Sequence, residues 1–518
     1  MSACRSGVTQ KVHPTSAPRR RVSRPRARVA AALVIAMIGA AFASDPRRPD
    51  ATFPPLRAPR GATITNLLAA DHSFELDERA ARIPATVKPF TGAQVETESY
   101  PTFDARGRRI GRTRWRIIEG TGNCCENFLA TTPEGLLLDF GGTTLKFSSD
   151  EGQNWNVVEP RPALPVPSSF GEGAVLAAPG GDIVGVTWII IGDVLLSFKF
   201  EADEQQWIYS SMPVHQPVYD RPEIAVIPGP FTIAGSRVDY ISIVRGGPAG
   251  FKSPWLYSTD GVTYAPGGDK FLEQVVQPPV QKWLDLRPTP LLDWIQPHED
   301  TGMTALGDGS AIAGRARIPD FTDAAGPQFA ILSPQTLRWS AFEFPRGSLP
   351  QSQQRFGDMT LPSDGHLRAD SRGRLHYVFY GSSSFEYFLT SDGGRSWTSK
   401  VIQLPAGYTL AGRDFYTSFK TNGALAMSAV AVHARDTRTK KHQDFVFRFD
   451  VADDRIRLAN VYAVGAGNME SSAGSRVSGA RFDFANVAFL PDGRLVTSFA
   501  DETHRPPAIA VELPQKAR

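Results

Sequence analysis

Residues 128–140 read Phe-Leu-Ala-Thr-Thr-Pro-Glu-Gly-Leu-Leu-Leu-Asp-Phe. Two apolar runs flank a glycine-containing turn, and this pattern predicts a β-hairpin. The phrase is the first of seven copies along the chain. The turns of the other copies fall at Pro179-Gly180-Gly181, Gly307-Asp308-Gly309, Ser371-Arg372-Gly373, Asn422-Gly423 and Pro491-Asp492-Gly493, with a less regular copy at residues 223–241.

The spacing of these hairpins predicts the fold class. Repeats of roughly 45 to 75 residues with about four strands each are typical of β-propeller blades. The last repeat offers three strands before the chain ends, and the run at residues 112–118 supplies a fourth that leaves no sheet edge open. We therefore expect an all-β chain whose residues 112–514 form a single β-propeller of four-stranded antiparallel blades, closed by an N-terminal strand. Seven blades are the first prediction, and six blades are the alternative.

A second motif recurs further along several repeats, with the pattern Ser/Thr-x-Asp-x-Gly-x-x-Trp. Two full copies and a shorter relative carry it at Ser148, Asp150, Gly152 and Trp155, at Thr390, Asp392, Gly394 and Trp397, and at Ser258, Asp260, Gly261 and Tyr264. These segments resemble the Asp-box, or bacterial neuraminidase repeat, of the sialidase superfamily. The resemblance implies a structural turn between the outer strands of a blade, away from any catalytic face. In such a turn the Asp accepts backbone N–H bonds, the Gly takes a positive φ and the aromatic ring packs beneath.

Composition and charge divide the chain further. The 41 Pro and 46 Gly among 518 residues disfavour long helices, while 41% hydrophobic residues provide a large core. Residues 1–43 combine arginines with an apolar run that ends in Ala41-Phe42-Ala43, the pattern of a signal peptide cleaved before Ser44; an uncleaved anchor is the alternative. We expect a secreted, periplasmic or cell-surface protein without stable membrane insertion after cleavage. The remaining chain carries a formal charge of −5, so its charge gives no indication of nucleic-acid binding, and no nucleic-acid partner is expected.

Two further segments give only open predictions. Residues 44–111 are rich in Pro and Arg and predict a linker and irregular cap, with a helix-like stretch near residues 66–81. Cys124 and Cys125 are adjacent, so they form either a vicinal disulfide or two buried thiols. Neither a metal site nor a cofactor is expected, because no His stands at the usual zinc spacing from them.

Candidate ligand-binding residues follow from the propeller itself, because the loops that enter each innermost strand gather at one mouth of the channel. The polar residues at those positions are Glu126, Glu172, Arg221, Glu223, Asp300, His366, Arg368, Arg413, Asp414, Arg481 and Asp483. Converging arginines would hold a carboxylate by paired hydrogen bonds. Arg/Asp pairs that merely neutralise each other are the alternative.

The sialidase resemblance implies three arginines on a substrate carboxylate, a Tyr nucleophile paired with a Glu, and an Asp acid/base. No catalytic residue of that set is assigned here. The family's aromatic-Arg-Ile-Pro motif has only imperfect counterparts, at residues 81–84 and 316–319. Two functions remain: a propeller that binds a glycan or a protein at its mouth without catalysis, and an exo-sialidase-type glycoside hydrolase. The oligomeric state is left open.

Overall fold

The structure is a computed structural model. It describes residues 80–266, 304–343, 365–470 and 487–515 apart from short gaps, most of them in connections between strands. All regular structure in these residues is β, as the sequence predicts. The described part contains no helix that is long and apolar enough to cross a bilayer.

The strands fall into a short N-terminal group and a series of sheets. The N-terminal group is β1 (Ala81–Phe90), β2 (Gln94–Phe103) and β3 (Arg109–Glu119). Sheet 1 contains β4 (Phe128–Thr131), β5 (Leu137–Gly141), β6 (Thr144–Ser148) and β7 (Trp155–Pro160). Sheet 2 contains β8 (Gly171–Ala177), β9 (Ile183–Ile189), β10 (Val194–Glu201) and β11 (Gln206–Pro213). Sheet 3 contains β12 (Glu223–Ile233), β13 (Ser236–Arg245), β14 (Leu256–Ser258) and β15 (Ala265–Pro266).

The C-terminal half continues the same pattern. Sheet 4 contains β16 (Thr304–Ala305), β17 (Ala311–Ala316), β18 (Gln328–Ser333) and β19 (Arg338–Glu343). Sheet 5 contains β20 (Gly365–Ala369), β21 (Leu375–Tyr380), β22 (Ser384–Thr390) and β23 (Thr398–Gln403). Sheet 6 begins with an interrupted strand, β24 (Tyr408–Leu410) and β25 (Tyr416–Phe419), and continues with β26 (Leu425–His433), β27 (Lys441–Ala452) and β28 (Arg455–Glu470). Sheet 7 contains β29 (Val487–Phe489), β30 (Leu495–Phe499) and β31 (Ala508–Glu512).

Each sheet is an antiparallel meander of consecutive strands. The strands that flank each predicted turn pair antiparallel as the first two strands of a sheet, although the turns at residues 307–309, 371–373 and 422–423 lie outside the described residues. The first strands contact one another in the order β4, β8, β12, β16, β20, β25, β29 and back to β4. Among the described residues, the first strands therefore follow one another in a closed ring.

β3 completes sheet 7. It pairs antiparallel with β31, with Trp115 opposite Glu512 and Ile118 opposite Ile509. The sequence analysis predicted this pairing from the unpaired run at residues 112–118, and the structure confirms it. The strand is held by burial as well as by the ladder, because Trp115, Ile117 and Ile118 are fully buried.

The N-terminal segment differs from the prediction of an irregular cap over residues 44–111. Residues 81–103 form β1 and β2, while the helix-like stretch falls almost entirely outside the described residues. β1 lies between the outer strands of two sheets and pairs first with β11 and then with β7. β2 pairs with β3 along its length and with β28 at Thr102 and Phe103. These two strands, named the strap, cover the outer edges of sheets 2, 1, 7 and 6.

Candidate functional site

The meanders have two edges with different connections. The edge at which each first strand begins is named the upper edge, and it also carries the links between second and third strands. At the opposite edge, named the lower edge, the described strands of each sheet are joined by connections of two to seven residues. The strands that flank residues 267–303, 344–364 and 471–486 end and begin at the upper edge, and these three stretches lie outside the described residues. Long connections on a compact sheet scaffold are where binding residues concentrate.

A histidine surrounded by carboxylates lies at the upper edge of sheet 7. His504 and Asp501 come from the connection between β30 and β31, and Glu96 comes from the strap. His504 Nδ1 lies 2.9 Å from Asp501 Oδ1, and both side chains are only 2% exposed. The other ring nitrogen, Nε2, lies 3.4 Å from Glu96 Oε1 and 4.0 Å from Glu119 Oε1. Three parts of the chain thus place acidic groups around one imidazole: β2, β3 and the link between β30 and β31.

Backbone contacts hold Asp501 in place. Its Oδ1 accepts the N–H groups of Thr503 at 2.8 Å and His504 at 2.9 Å, and its Oδ2 accepts that of Ala466 at 2.7 Å. Burial works against the charged carboxylate, but these bonds and the one to His504 lower the pKa of Asp501 to about 2. Burial would also lower the pKa of His504, but the bond to Asp501 and the nearby carboxylates outweigh it and raise that pKa to about 9. At neutral pH, Asp501 therefore carries a negative charge and His504 a positive charge.

A tyrosine and a second glutamate extend this group along β2. Glu98 and Tyr100 lie on the same face of the strand as Glu96, and the Tyr100 hydroxyl donates to Glu98 Oε2. Tyr100 is 6% exposed and packs edge-on against Phe499. Burial, followed by the bond and charge of Glu98, raises the pKa of Tyr100 well above its ordinary range. The hydroxyl therefore stays protonated and orients Glu98.

A buried acid lies in the middle of the second strand of sheet 1. Asp139 on β5 stands opposite Lys146 on β6 across the ladder, and it is 3% exposed. Burial raises the pKa of Asp139 to about 7, although the Lys146 charge opposes the shift. Lys146 Nζ donates to the backbone oxygen of Thr121 and lies 4.9 Å from the centre of the Phe90 ring. Thr121 follows Glu119 by two residues. Lys146 of sheet 1 and His504 of sheet 7 therefore both lie next to the short segment 119–121.

Most of the predicted site residues lie outside the described residues, as the upper-edge links do. They are Glu126, Arg221, Asp300, Arg413, Asp414, Arg481 and Asp483, together with Cys124 and Cys125. Glu172 is the second residue of β8, Glu223 is the first residue of β12 and His366 is the second residue of β20. Their backbones therefore lie at the upper ends of first strands. Arg368 is an exception, because it is the fourth residue of β20 and its backbone lies nearer the lower edge.

The Ser-x-Asp turns lie at the lower edge, between third and fourth strands. In the first turn, Asp150 Oδ1 accepts the N–H of Asn154 at 2.8 Å, Gly152 has φ of +85°, and Trp155 Nε1 donates to the Gly152 oxygen at 3.1 Å. In the second turn, Asp260 accepts the N–H groups of Val262 and Thr263, and Gly261 has φ of +74°. Of the third, Thr390 and Trp397 are described, whereas Asp392 and Gly394 are not. The turn geometry expected from the resemblance is present in both turns that can be described in full.

Several other polar groups at the lower edge form ion pairs or hydrogen bonds with one another. Arg494 pairs with Asp492 at 2.6 Å and with Glu151 of the first Ser-x-Asp turn, beside a groove of about 580 Å³. In the same groove Arg457 pairs with Asp450, and Arg448 lies 3.7 Å from Glu512. In sheet 5, the buried Asp370 accepts from Arg374 at 2.7 Å and lies 2.9 Å from His376, whose other nitrogen is 2.6 Å from the Tyr387 hydroxyl. These contacts link turns to strands, and they indicate a structural role for the residues that make them.

Local patterns in the sequence do not reveal these acidic groups. Glu96 and His504 are separated by most of the chain, and Asp139 lies within an apolar strand. The short spacing of Asp501 and His504 is the one available signal, and it falls on a link between second and third strands. Site residues were predicted only at links that enter first strands, although both kinds of link share the upper edge.

Comparisons with known proteins complete the description. No protein-family profile matches the sequence, and no curated protein matches it. Solved structures that resemble the chain include the Hadza microbial sialidase Hz136, with a TM-score of 0.33 and 10% identity over 78% of this chain and 73% of that one. The GH74 xyloglucanase from Xanthomonas campestris gives 0.33 and 12% over 83% and 68%. Polysaccharide lyase Uly1 gives 0.32 and 9% over 73% and 89%. At these values the comparisons assign neither a family nor an activity.

Proposed function

We propose that the chain is an exported, seven-bladed β-propeller that binds a glycan at its upper edge. The ring of first strands and the pairing of β3 with β31 support a closed propeller of seven four-stranded blades. The signal-like sequence of residues 1–43 supports export. In this proposal the Ser-x-Asp turns are Asp-boxes with a structural role at the lower edge.

The observation that carries the binding function is the unequal distribution of connections and polar groups. The lower edge has short turns, and several charged groups described there are paired with one another. At the upper edge, first strands begin after long stretches of chain, and acidic groups surround His504. The side chains of Glu96 and Glu119 are 55% and 32% exposed, and such carboxylates suit hydroxyl-rich ligands because they accept charge-assisted hydrogen bonds. A glycan therefore fits this edge better than an apolar ligand does.

Hydrolysis of a sialoside is the second candidate, and one contact bears on it. The hydrogen bond between Tyr100 and Glu98 is the Tyr/Glu pairing that a sialidase mechanism would require. However, Tyr100 is 6% exposed and packs among Trp115, Tyr462 and other core residues. A nucleophile must reach the substrate, so this pair supports a positioning role and favours binding over hydrolysis.

A glycan array probed with the purified protein tests the proposal. We expect retention on a restricted set of glycans, and no release of fluorophore when the same preparation is incubated with a fluorogenic sialoside. Failure to bind any glycan on the array would overturn the binding function. Turnover of the sialoside at a rate proportional to protein would replace it with the hydrolase.

A further inference from the structure

Three potential ligand atoms converge at the upper edge of sheet 7. Glu96, Glu98 and His504 each offer one atom, and these atoms all lie within 4.8 Å of one another. The two glutamates are two residues apart on β2, so both side chains leave the same face of the strand. His504 reaches the same place from the link between β30 and β31.

The imidazole of His504 is oriented by a second carboxylate, as the rings of metal-ligating histidines are. Such a histidine donates one ring N–H to a carboxylate or carbonyl, which fixes the tautomer and leaves the other nitrogen for the metal. Here Nδ1 lies 2.9 Å from the buried Asp501, and Nε2 points toward Glu96 at 3.4 Å. Asp501 is itself fixed by three backbone N–H groups, so the ring cannot turn without breaking that contact.

Contacts outside the three ligands also orient the glutamates. The Tyr100 hydroxyl donates to one oxygen of Glu98 and leaves the other oxygen free to bind. Glu96 has a side chain that is 55% exposed, so solvent can reach the cluster and supply the remaining ligands of an ion. Glu119 lies at the rim, 4.0 Å from Nε2.

We propose that His504 Nε2 and the carboxylates of Glu96 and Glu98 bind one divalent transition-metal cation of the Zn²⁺ class. One imidazole and two carboxylates form a ligand set that zinc accepts, with water in the open position. Binding displaces the proton from His504 Nε2 to solvent, because only the neutral imidazole coordinates a metal. A set containing a ring nitrogen favours Zn²⁺ over Ca²⁺, which prefers six to eight oxygen ligands. A cation also offsets the repulsion among Glu96, Glu98, Glu119 and Asp501. The site goes beyond the proposed glycan binding and does not depend on it.

Isothermal titration of the chelator-treated full chain with ZnCl₂ tests the site. The protein carries Cys124→Ser and Cys125→Ser, so that thiols cannot bind the metal. We expect one equivalent of Zn²⁺ to bind and CaCl₂ to bind at least tenfold more weakly. Glu96→Gln and Glu98→Gln should each weaken Zn²⁺ binding at least tenfold. Glu204→Gln, at an exposed lower-edge turn, should leave it unchanged.

His504→Gln provides a second readout. It should weaken Zn²⁺ binding at least tenfold. Because this change also removes the ring that contacts Asp501, the folded state of each variant is checked by circular dichroism before titration. Substitution of Co²⁺ for Zn²⁺ should give visible absorption bands in the parent protein that are lost in Glu96→Gln. Absence of stoichiometric Zn²⁺ binding, or binding that neither glutamate variant weakens in its folded state, would overturn the proposal.

Discussion

Replacement of Trp155 by Ala removes the ring that anchors the first Ser-x-Asp turn. The indole is 2% exposed and packs in a cluster with Ile118 of β3, Leu137 of β5 and Val496 of β30. It also faces Phe90 of the strap across the β1–β7 ladder. One side chain therefore joins sheet 1, sheet 7 and the strap.

The magnitude follows from burial and one hydrogen bond. Truncation of a buried Trp to Ala costs about 3–5 kcal/mol of unfolding free energy, because a cavity remains. The bond from Nε1 to the Gly152 oxygen contributes about 1 kcal/mol of that total. Trp155→Phe retains most of the ring and loses that bond, so we expect a cost of about 1–2 kcal/mol. Trp397→Ala is the matched control, because Trp397 occupies the same motif position but is partly exposed, and its cost should be about half as large.

Urea unfolding followed by circular dichroism measures these differences. The midpoints of parent, Trp155→Ala, Trp155→Phe and Trp397→Ala are compared at one pH and temperature. A loss below about 1 kcal/mol for Trp155→Ala, or an equal loss for both alanine variants, would refute the packing argument.

Three further predictions follow from other parts of the structure. Deletion of residues 1–103 removes the strap and exposes the outer edges of sheets 1 and 2, so we expect self-association in sedimentation velocity; a monomer with an unchanged melting temperature would contradict this. Asp139 has a pKa raised from 3.8 to about 7, so the folded state binds its proton more tightly and stability falls as pH rises between those values, by up to about 4 kcal/mol. Asp139→Asn should remove that slope in unfolding measured from pH 4 to pH 7, and an unchanged slope would exclude Asp139 as its source. Asp370→Ala removes the buried carboxylate that contacts both Arg374 and His376 and should cost about 3–5 kcal/mol in urea unfolding, whereas a cost near zero would show that these contacts are dispensable.

The hairpins were predictable because their signals are local. Gly135 has φ of +94° and Gly493 has φ of +88°, and both stand in turns where the sequence places glycine between two apolar runs. The turn residues and the adjacent strand residues therefore determine these elements together. The closing strand β3 was predictable for a different reason, since the last repeat lacked a fourth strand.

The strap was not predictable from local pattern. β1 contains Pro84 and Pro89, and proline disfavours the interior of a sheet. The strand tolerates Pro84 because its partner changes there from β11 to β7: Pro84 pairs with Gln206 and Ala85 with Pro160. Its partners β11 and β7 lie far along the chain, so the local sequence of residues 81–103 did not predict strands.

The candidate site was partly predictable. Polar residues at the starts of first strands predict a site at the upper edge, and this prediction covers only links that enter first strands. His504 and Asp501 reach the same edge through the link between β30 and β31, and Glu96 reaches it through the strap. Their proximity arises from closure of the ring and from strap pairing, which no local spacing encodes.

Hydrogen–deuterium exchange with a glycan selected from the array tests the central claim most directly. The account predicts that saturating glycan slows amide exchange in upper-edge segments, such as residues 119–128 and 500–508, and leaves the lower-edge turn at residues 149–154 unchanged. Protection confined to the lower-edge turns, or the same small change at both edges, would contradict binding at the upper edge.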